Sequence, residues 1–433
     1  MHKALGALAL LSLTVAAIAG FSGSDMLPLD SDAIRYTSGP VDDPVDALQQ
    51  RLDKGEVKLT YDVSMGYLKS VLDALNVSTT SQILVFSKTS FQASRISPRL
   101  PRALYFKDNV AVGFVRTGDV LEFAALDSKQ GVHFYTLDQE QVEHPKIQRR
   151  DTCLQCHQAA ATMGIPGLMV RSVFPDRTGM PIFSAGTGFI TDHRSPLKER
   201  WGGWYVTGTT GSQVHMGNAV MTPGEPVTPP EGSQNVTDLK PFIDTGAYLT
   251  PHSDIVALMT LEHQTQMENL IIRLGWETRI AMVQNAAMNK AFHEPEDQIR
   301  ESTAHRVNAG VEDLLSYMLF NGETVLTSPI KGTSGFTEQF EKLGPNDSKG
   351  RSLRDFDLKT RMFRYPCSFL VYSKAFDSLP KLAKDRLYRR LWEVLTERDK
   401  SPQFAHLTAV DRKAILEILL DTKKDLPAYW RTS

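Results

Sequence analysis

The sequence predicts an α+β fold: a β-rich N-terminal domain, a Gly/Pro-rich middle segment and a mainly α-helical C-terminal domain. Three observations predict it. Short apolar runs recur at intervals of about 8–12 residues between positions 83 and 137, with turn residues between them. Apolar residues return at three- and four-residue spacing after position 252. Between these blocks, from 149 to 250, Gly and Pro interrupt every run.

Taken in order, the chain opens on a short basic region, His2 and Lys3, followed by a stretch of small and apolar residues over 4–18. Ala17-Ile18-Ala19 reads as a cleavage signal, so residues 1–19 are expected to be a signal peptide and the mature chain to begin at Gly20. The apolar stretch is shorter than the ~20 residues a membrane span needs, so the reading is an exported protein in a periplasm-like space. Residues 20–44 are a loose leader rich in Ser, Asp and Pro. Helical spacing covers 45–52 and then Tyr67, Leu68, Val71, Leu72 and Leu75. Strand-like runs follow: Ile83-Leu84-Val85-Phe86, Ala103-Leu104-Tyr105-Phe106, residues 110–115, residues 120–125 and His133-Phe134-Tyr135-Thr136-Leu137. Lys107-Asp108-Asn109 and Thr117-Gly118-Asp119 supply turns, so residues 20–148 are expected to hold an antiparallel sheet.

The middle segment carries Gly164-Ile165-Pro166-Gly167, Gly179-Met180-Pro181, Gly186-Thr187-Gly188 and Trp201-Gly202-Gly203-Trp204, then an exposed loop over 222–236. Residues 251–433 form the helical domain. Ser253 is the expected N-cap of a helix that Gly275 ends near 274. Further helices are expected over 277–292, 296–319, 381–397 and 409–421.

Composition excludes some functions. The 433 residues hold 48 Lys and Arg against 50 Asp and Glu, a formal charge of −2. No basic excess or polybasic run points to nucleic acid or to a membrane surface. The length suggests two or three domains.

The chemistry lies in Cys153-Leu154-Gln155-Cys156-His157. This is C-x-x-C-H, the attachment pattern of haem c. Each thiol adds across one haem vinyl group, sulfur to one carbon and hydrogen to the other. The following histidine supplies the proximal imidazole to iron. The chain has three Cys in all. Three Cys scattered at random give such a pair followed by His in roughly a few cases in ten thousand. The alternatives are a thiol–disulfide pair and half of a zinc site, the latter short of the four ligands zinc takes. Cys367, the remaining cysteine, lies among Tyr365, Pro366, Phe369 and Leu370 and reads as a buried inert thiol.

Cys153, Cys156 and His157 match the c-type cytochrome signature, and the chain resembles large exported single-haem bacterial proteins. The resemblance implies two thioether links, a proximal ligand at His157, one covalent haem c, and electron transfer with a redox partner protein. The order of a β-rich domain before the motif is similar to the β-sheet cytochrome c′ proteins, whose haem is often five-coordinate. Di-haem peroxidases are similar in export and ligation, but they need two such motifs and this chain has one. The alternative function is a haem enzyme or a gas or redox sensor with an open distal side.

The sixth iron ligand decides between these. His215 and Met216 follow His157 by 58 and 59 residues, and they are the leading candidates. Met221, Met163, Met169 and Met180 come after them. His263 lies on an apolar helix stripe and reads as a core histidine. Arg149, Arg150, Arg171 and Arg177 are candidate partners for haem propionates. Trp201, Trp204 and Tyr205 are candidates for the haem edge, or for plain packing.

Overall fold

A computed structural model of the chain describes residues 26–224 and 228–431. The expected signal peptide, residues 1–19, lies outside the described residues. The class is α+β: an antiparallel sheet in the N-terminal half and mostly helices after it. No helix among the described residues is long and apolar enough to cross a membrane.

Two helices come first, α1 (Pro44–Asp53) and α2 (Leu68–Leu75). Asp43 caps α1 by accepting from the Val45 and Asp46 amides. Its other oxygen accepts from the Tyr135 hydroxyl at 2.6 Å and lies 2.9 Å from His133 Nδ1. The cap thereby fastens the helix to the sheet.

The sheet holds β1 (Ile83–Val85), β2 (Arg102–Lys107), β3 (Val110–Phe114), β4 (Val120–Asp127), β5 (Gly131–Asp138) and β6 (Ile147–Arg149). A seventh strand, β9 (Trp204–Tyr205), comes from the middle segment, and the order is β6-β5-β4-β3-β2-β1-β9. The middle segment therefore shares the N-terminal sheet instead of standing apart from it. It also holds α3 (Leu154–His157) and a two-stranded hairpin of β7 (Val170–Ser172) and β8 (Phe189–Thr191).

Side chains alternate across each strand, so the registers assign two faces. One carries Leu84, Tyr105, Val112, Phe123 and Tyr135 and buries them against α1, α2, Leu239 and Ile243. The other carries Ile83, Phe106, Leu126, Val132 and Phe134. These join a main core that draws on residues from Ile34 to Trp430.

Most of that core is helical. It comprises α4 (Ile255–Ala291), α5 (Glu301–Met318), α6 (Phe336–Glu341), α7 (Lys374–Asp377), α8 (Lys381–Leu395) and α9 (Ala409–Thr422). Two expectations fail at α4. Its cap is Asp254, and the Ser253 hydroxyl instead accepts from the Leu84 amide and donates to the Tyr205 carbonyl. Gly275 does not end the helix, which runs on for 37 residues, roughly 55 Å. The Arg279 side chain folds back over Gly275, where an added Cβ would meet its Nη1 at 2.9 Å. On α5, a Cβ at Gly310 would meet Leu274 at 3.0 Å, so this glycine permits the close approach of α5 to α4.

Among the described residues Asp254 is the best-connected cap. One oxygen accepts from the Val256 and Ala257 amides, the other from the Thr333 and Ser334 amides and the Ser334 hydroxyl. Replacing it with Ala removes the acceptor and leaves amide donors unpaired at one buried and one half-buried backbone segment. We expect Asp254→Ala to lower the unfolding free energy by about 3 kcal/mol in urea titrations. A loss below about 0.5 kcal/mol would contradict the role given to this cap.

Candidate functional site

The motif begins where β6 hands the chain to a single helical turn. Arg150 anchors the approach: its amide donates to the Phe134 carbonyl, and its Nε donates to the Thr136 hydroxyl at 2.8 Å. Cys153 is half-buried and Cys156 exposed. Both are free thiols, as is Cys367.

His157 is held by the loop that follows it. Its Nδ1 lies 3.0 Å from the Gly167 carbonyl. A carbonyl oxygen only accepts, so Nδ1 carries the proton and Nε2 keeps its lone pair. The ring packs on Phe134, centroids 4.7 Å apart. Burial lowers the His157 pKa, which keeps the imidazole neutral. The backbone is fixed too: the His157 carbonyl accepts from the Gly167 amide at 2.9 Å and from the Thr162 hydroxyl at 3.1 Å. Asn269 of α4 donates to the Leu168 carbonyl at 2.8 Å, one residue beyond Gly167. A ligating histidine is normally held this way, its second nitrogen committed to an outer partner.

The motif borders a shelf on the main-core face of the sheet. The registers align Leu104, Gly113, Glu122 and Thr136 in one row and Phe106, Ala111, Ala124 and Phe134 in the next. Leu104, Ala111, Glu122 and Ala124 are only half-buried. Arg102 crosses Gly113, where a Cβ would meet its Nη2 at 2.8 Å, and pairs with Glu122 at 2.6 Å. This pair is close enough to bias the titration of both Cys153 and His157. Burial and then Glu122 raise the Cys153 thiol, while Arg102 and Arg150 pull it down. Two accessible thiols, a neutral imidazole with Nε2 uncommitted and a shelf of small side chains fit the needs of a thioether-linked, histidine-ligated haem. Among the described residues no group of three or more His, Cys, Asp or Glu side chains is gathered to hold a metal ion.

His215 and Met216 are not brought to His157. The His215 ring is buried edge-on to Trp201, and its Nδ1 accepts from the Gly217 amide. Met216 joins Phe174, Ile182, Ala219 and Met221 in a small satellite cluster. Asn218 bonds Val206 and Trp204, so this segment runs along β9 at the sheet edge. His157 lies over β5, five strand steps away. At about 4.8 Å per step that is on the order of 20 Å. Helix α4 measures the same gap. Ile255 touches the β9 end through Thr207 and Asn269 touches the His157 loop, and 14 residues apart they span about 21 Å. Two axial ligand atoms on one metal stand only about 4 Å apart.

The remaining candidates are accounted for. His263 is a core residue, with Nδ1 2.9 Å from His193 Nδ1 and Nε2 2.8 Å from the Ser368 hydroxyl. Arg149 stacks over Tyr36 and bonds its carbonyl, and Arg171 bonds the Thr187 carbonyl. Arg177 is exposed. Trp201, Trp204 and Tyr205 are buried packing residues. Met180 is exposed, Met169 is half-buried, and Met163 Sδ lies 3.6 Å from Gln266 Nε2. Arg102, Glu122, Phe134 and Gly167 border the motif and are not among the site candidates the sequence offers. Arg102 and Glu122 leave a trace there, as charges at alternate positions in otherwise apolar strands.

Comparison of the chain with protein-family models, curated proteins and solved structures found no match.

The His193–His263 pair generates a pH prediction. Burial pushes His263 down to about 3 and His193 well below its ordinary value, so both are neutral in the fold. The unfolded chain protonates both below about pH 6.5. Their contribution is therefore complete above about pH 6.5 and is lost as pH falls toward 3. Buried Glu262 and Glu323, pushed up to about 7 by desolvation, act with the opposite sign. The histidine contribution is isolated by subtracting the profile of a His193→Phe/His263→Phe variant. The stability advantage of the wild type over this variant should shrink between about pH 6 and 4 by up to about 1.4 kcal/mol per pH unit per ring. An advantage independent of pH would contradict the assignment.

Proposed function

We propose that this chain is an exported c-type haem protein that carries one covalent haem and transfers electrons to or from a redox partner protein. The observation that carries the reading is the state of His157: Nδ1 committed to the Gly167 carbonyl, Nε2 left with its lone pair, and two free thiols four residues and one residue before it, one half-buried and one exposed.

In this reading Cys153 and Cys156 form the thioethers and His157 Nε2 is the proximal ligand. Gly167 fixes the tautomer, and Phe134 fixes the tilt of the ring. When bound, haem supplies an iron that alternates between Fe(III) and Fe(II). Thr162 and Asn269 keep the ligand loop from relaxing as that charge changes. Export agrees with the sequence of residues 1–19 and with the compartment in which bacteria attach haem c.

A second reading is favoured by one observation. The placement of His215 and Met216 along β9, with His157 over β5, counts against either as a strong sixth ligand. A haem here with an open or weakly held distal side suits a gas or redox sensor, or an enzyme, better than a simple carrier.

Protein matured with haem-attachment machinery should gain the mass of one haem, retained after denaturation and lost in Cys153→Ser/Cys156→Ser. Cys367→Ser, at a thiol that burial pushes up to about 12, should leave the spectrum unchanged. A colourless product with a Cys153–Cys156 disulfide would overturn the haem reading and restore the thiol module. His215→Ala and Met216→Ala should keep the parent spectrum and the parent rate of CO binding. A switch to high-spin iron in either variant would show that the β9 edge reaches the haem.

A further inference from the structure

Helix α4 buries an acid that this reading leaves unused. Glu268 is 4 % exposed. The Gln264 amide one turn earlier donates to its Oε1 at 3.1 Å and also donates to the Lys107 carbonyl at 3.0 Å. Among the described residues no cation pairs with Glu268. From the β2–β3 turn, Asp108 faces it, and Arg354 clamps Asp108 from the C-terminal half. Lys107 sends its ammonium away, to the Leu75 carbonyl. An ionised carboxylate with one amide donor and a like charge nearby is strongly disfavoured, so this acid holds a proton well above the ordinary carboxyl range. Burial first and Asp108 second act in that direction.

The acid is not sealed. It opens on a crevice of about 10 Å³, lined by Phe106, Asn109, Ala111, Ala124, Leu168 and Leu261. That volume holds about one water. Asn109, one of the residues that line the crevice, is exposed to solvent. Its far wall is the shelf beside the motif, since Ala124 is the register partner of Phe134, on whose ring His157 packs. The next residue of α4, Asn269, holds Leu168, beside the carbonyl that orients His157.

We infer that Glu268 and this crevice form a redox-linked proton site, an inference that rests on the proposed covalent haem at His157. For each electron the partner delivers to the His157-bound iron, Glu268 takes up one proton from solvent through the crevice. It releases that proton to solvent when the electron leaves. The coupling is electrostatic and reciprocal: an added negative charge tightens the proton, and a bound proton favours the added electron.

The test is the reduction potential of the haem-bearing protein as a function of pH, for wild type and Glu268→Gln. Wild type should show a potential that falls with rising pH over a window above the ordinary carboxyl range. The slope should reach up to about 59 mV for each tenfold change in proton activity. Glu268→Gln should be flat across that window. Redox-difference infrared spectra should show a protonated-carboxyl C=O band in wild type that Glu268→Gln lacks. Equal slopes in the two proteins would overturn the proton site. Should the variant not fold, wild type decides alone: a potential flat from about pH 5 to about pH 9 overturns it. A protein without haem is recognised by its spectrum before any titration, so failure of the haem reading is distinct from failure of this one.

Discussion

The constraint on which the rest of the structure depends is the polar satisfaction of α4. Through its first 27 residues this helix is buried on nearly every side, yet it carries Glu262, His263, Gln264, Glu268, Asn269, Arg273 and Glu277. A buried polar group without a partner costs more than a typical hydrogen bond contributes, so each must be met. Most are met by other parts of the chain, while Glu268 and Glu277 are met from within the helix by Gln264 and Arg273. Arg200 and Thr191 bond Glu262, and His193 and Ser368 flank His263. Arg273 reaches the Met163 carbonyl and Glu277, and Trp276 the Lys129 carbonyl. The sheet, the Gly/Pro segment and the C-terminal helices are registered to one another through these bonds.

The candidate site inherits its rigidity from that helix. Asn269 fixes Leu168, the Gly167 carbonyl fixes His157 Nδ1, and the sheet supplies Phe134 under the ring. A ligand whose tautomer and tilt are set before metal arrives loses less on binding than one that must be ordered. On that sheet face Ala111 and Ala124 are small and only half-buried, beside half-buried Leu104 and Glu122. The motif stands at the border of this shelf.

Much of the fold was legible in the sequence. The five strand-like runs fall within β1 to β5 or extend a residue past them, because alternation and turn residues are local signals. β6 to β9 have two or three residues each, too few for a period to declare itself. Gly275 was a poor stop signal, since burial of α4 on both sides of it outweighs the small helix penalty of one glycine. The motif was plain, but its support was not. Phe134 and Gly167 act through tertiary contacts, which no spacing encodes. The reach argument for His215 and Met216 failed for a topological reason. The intervening chain is spent in crossing the sheet to form β9 at its far edge, so 58 residues of separation lead away from His157.

Absorption spectroscopy of the purified protein, oxidised, reduced and reduced under CO, tests the central claim most directly. The account predicts the reduced bands of a c-type haem that stays with the chain after denaturation. It also predicts CO binding unimpeded by a strong sixth ligand. A protein that shows no haem absorption after maturation, or whose haem is extracted from the denatured chain, would contradict it.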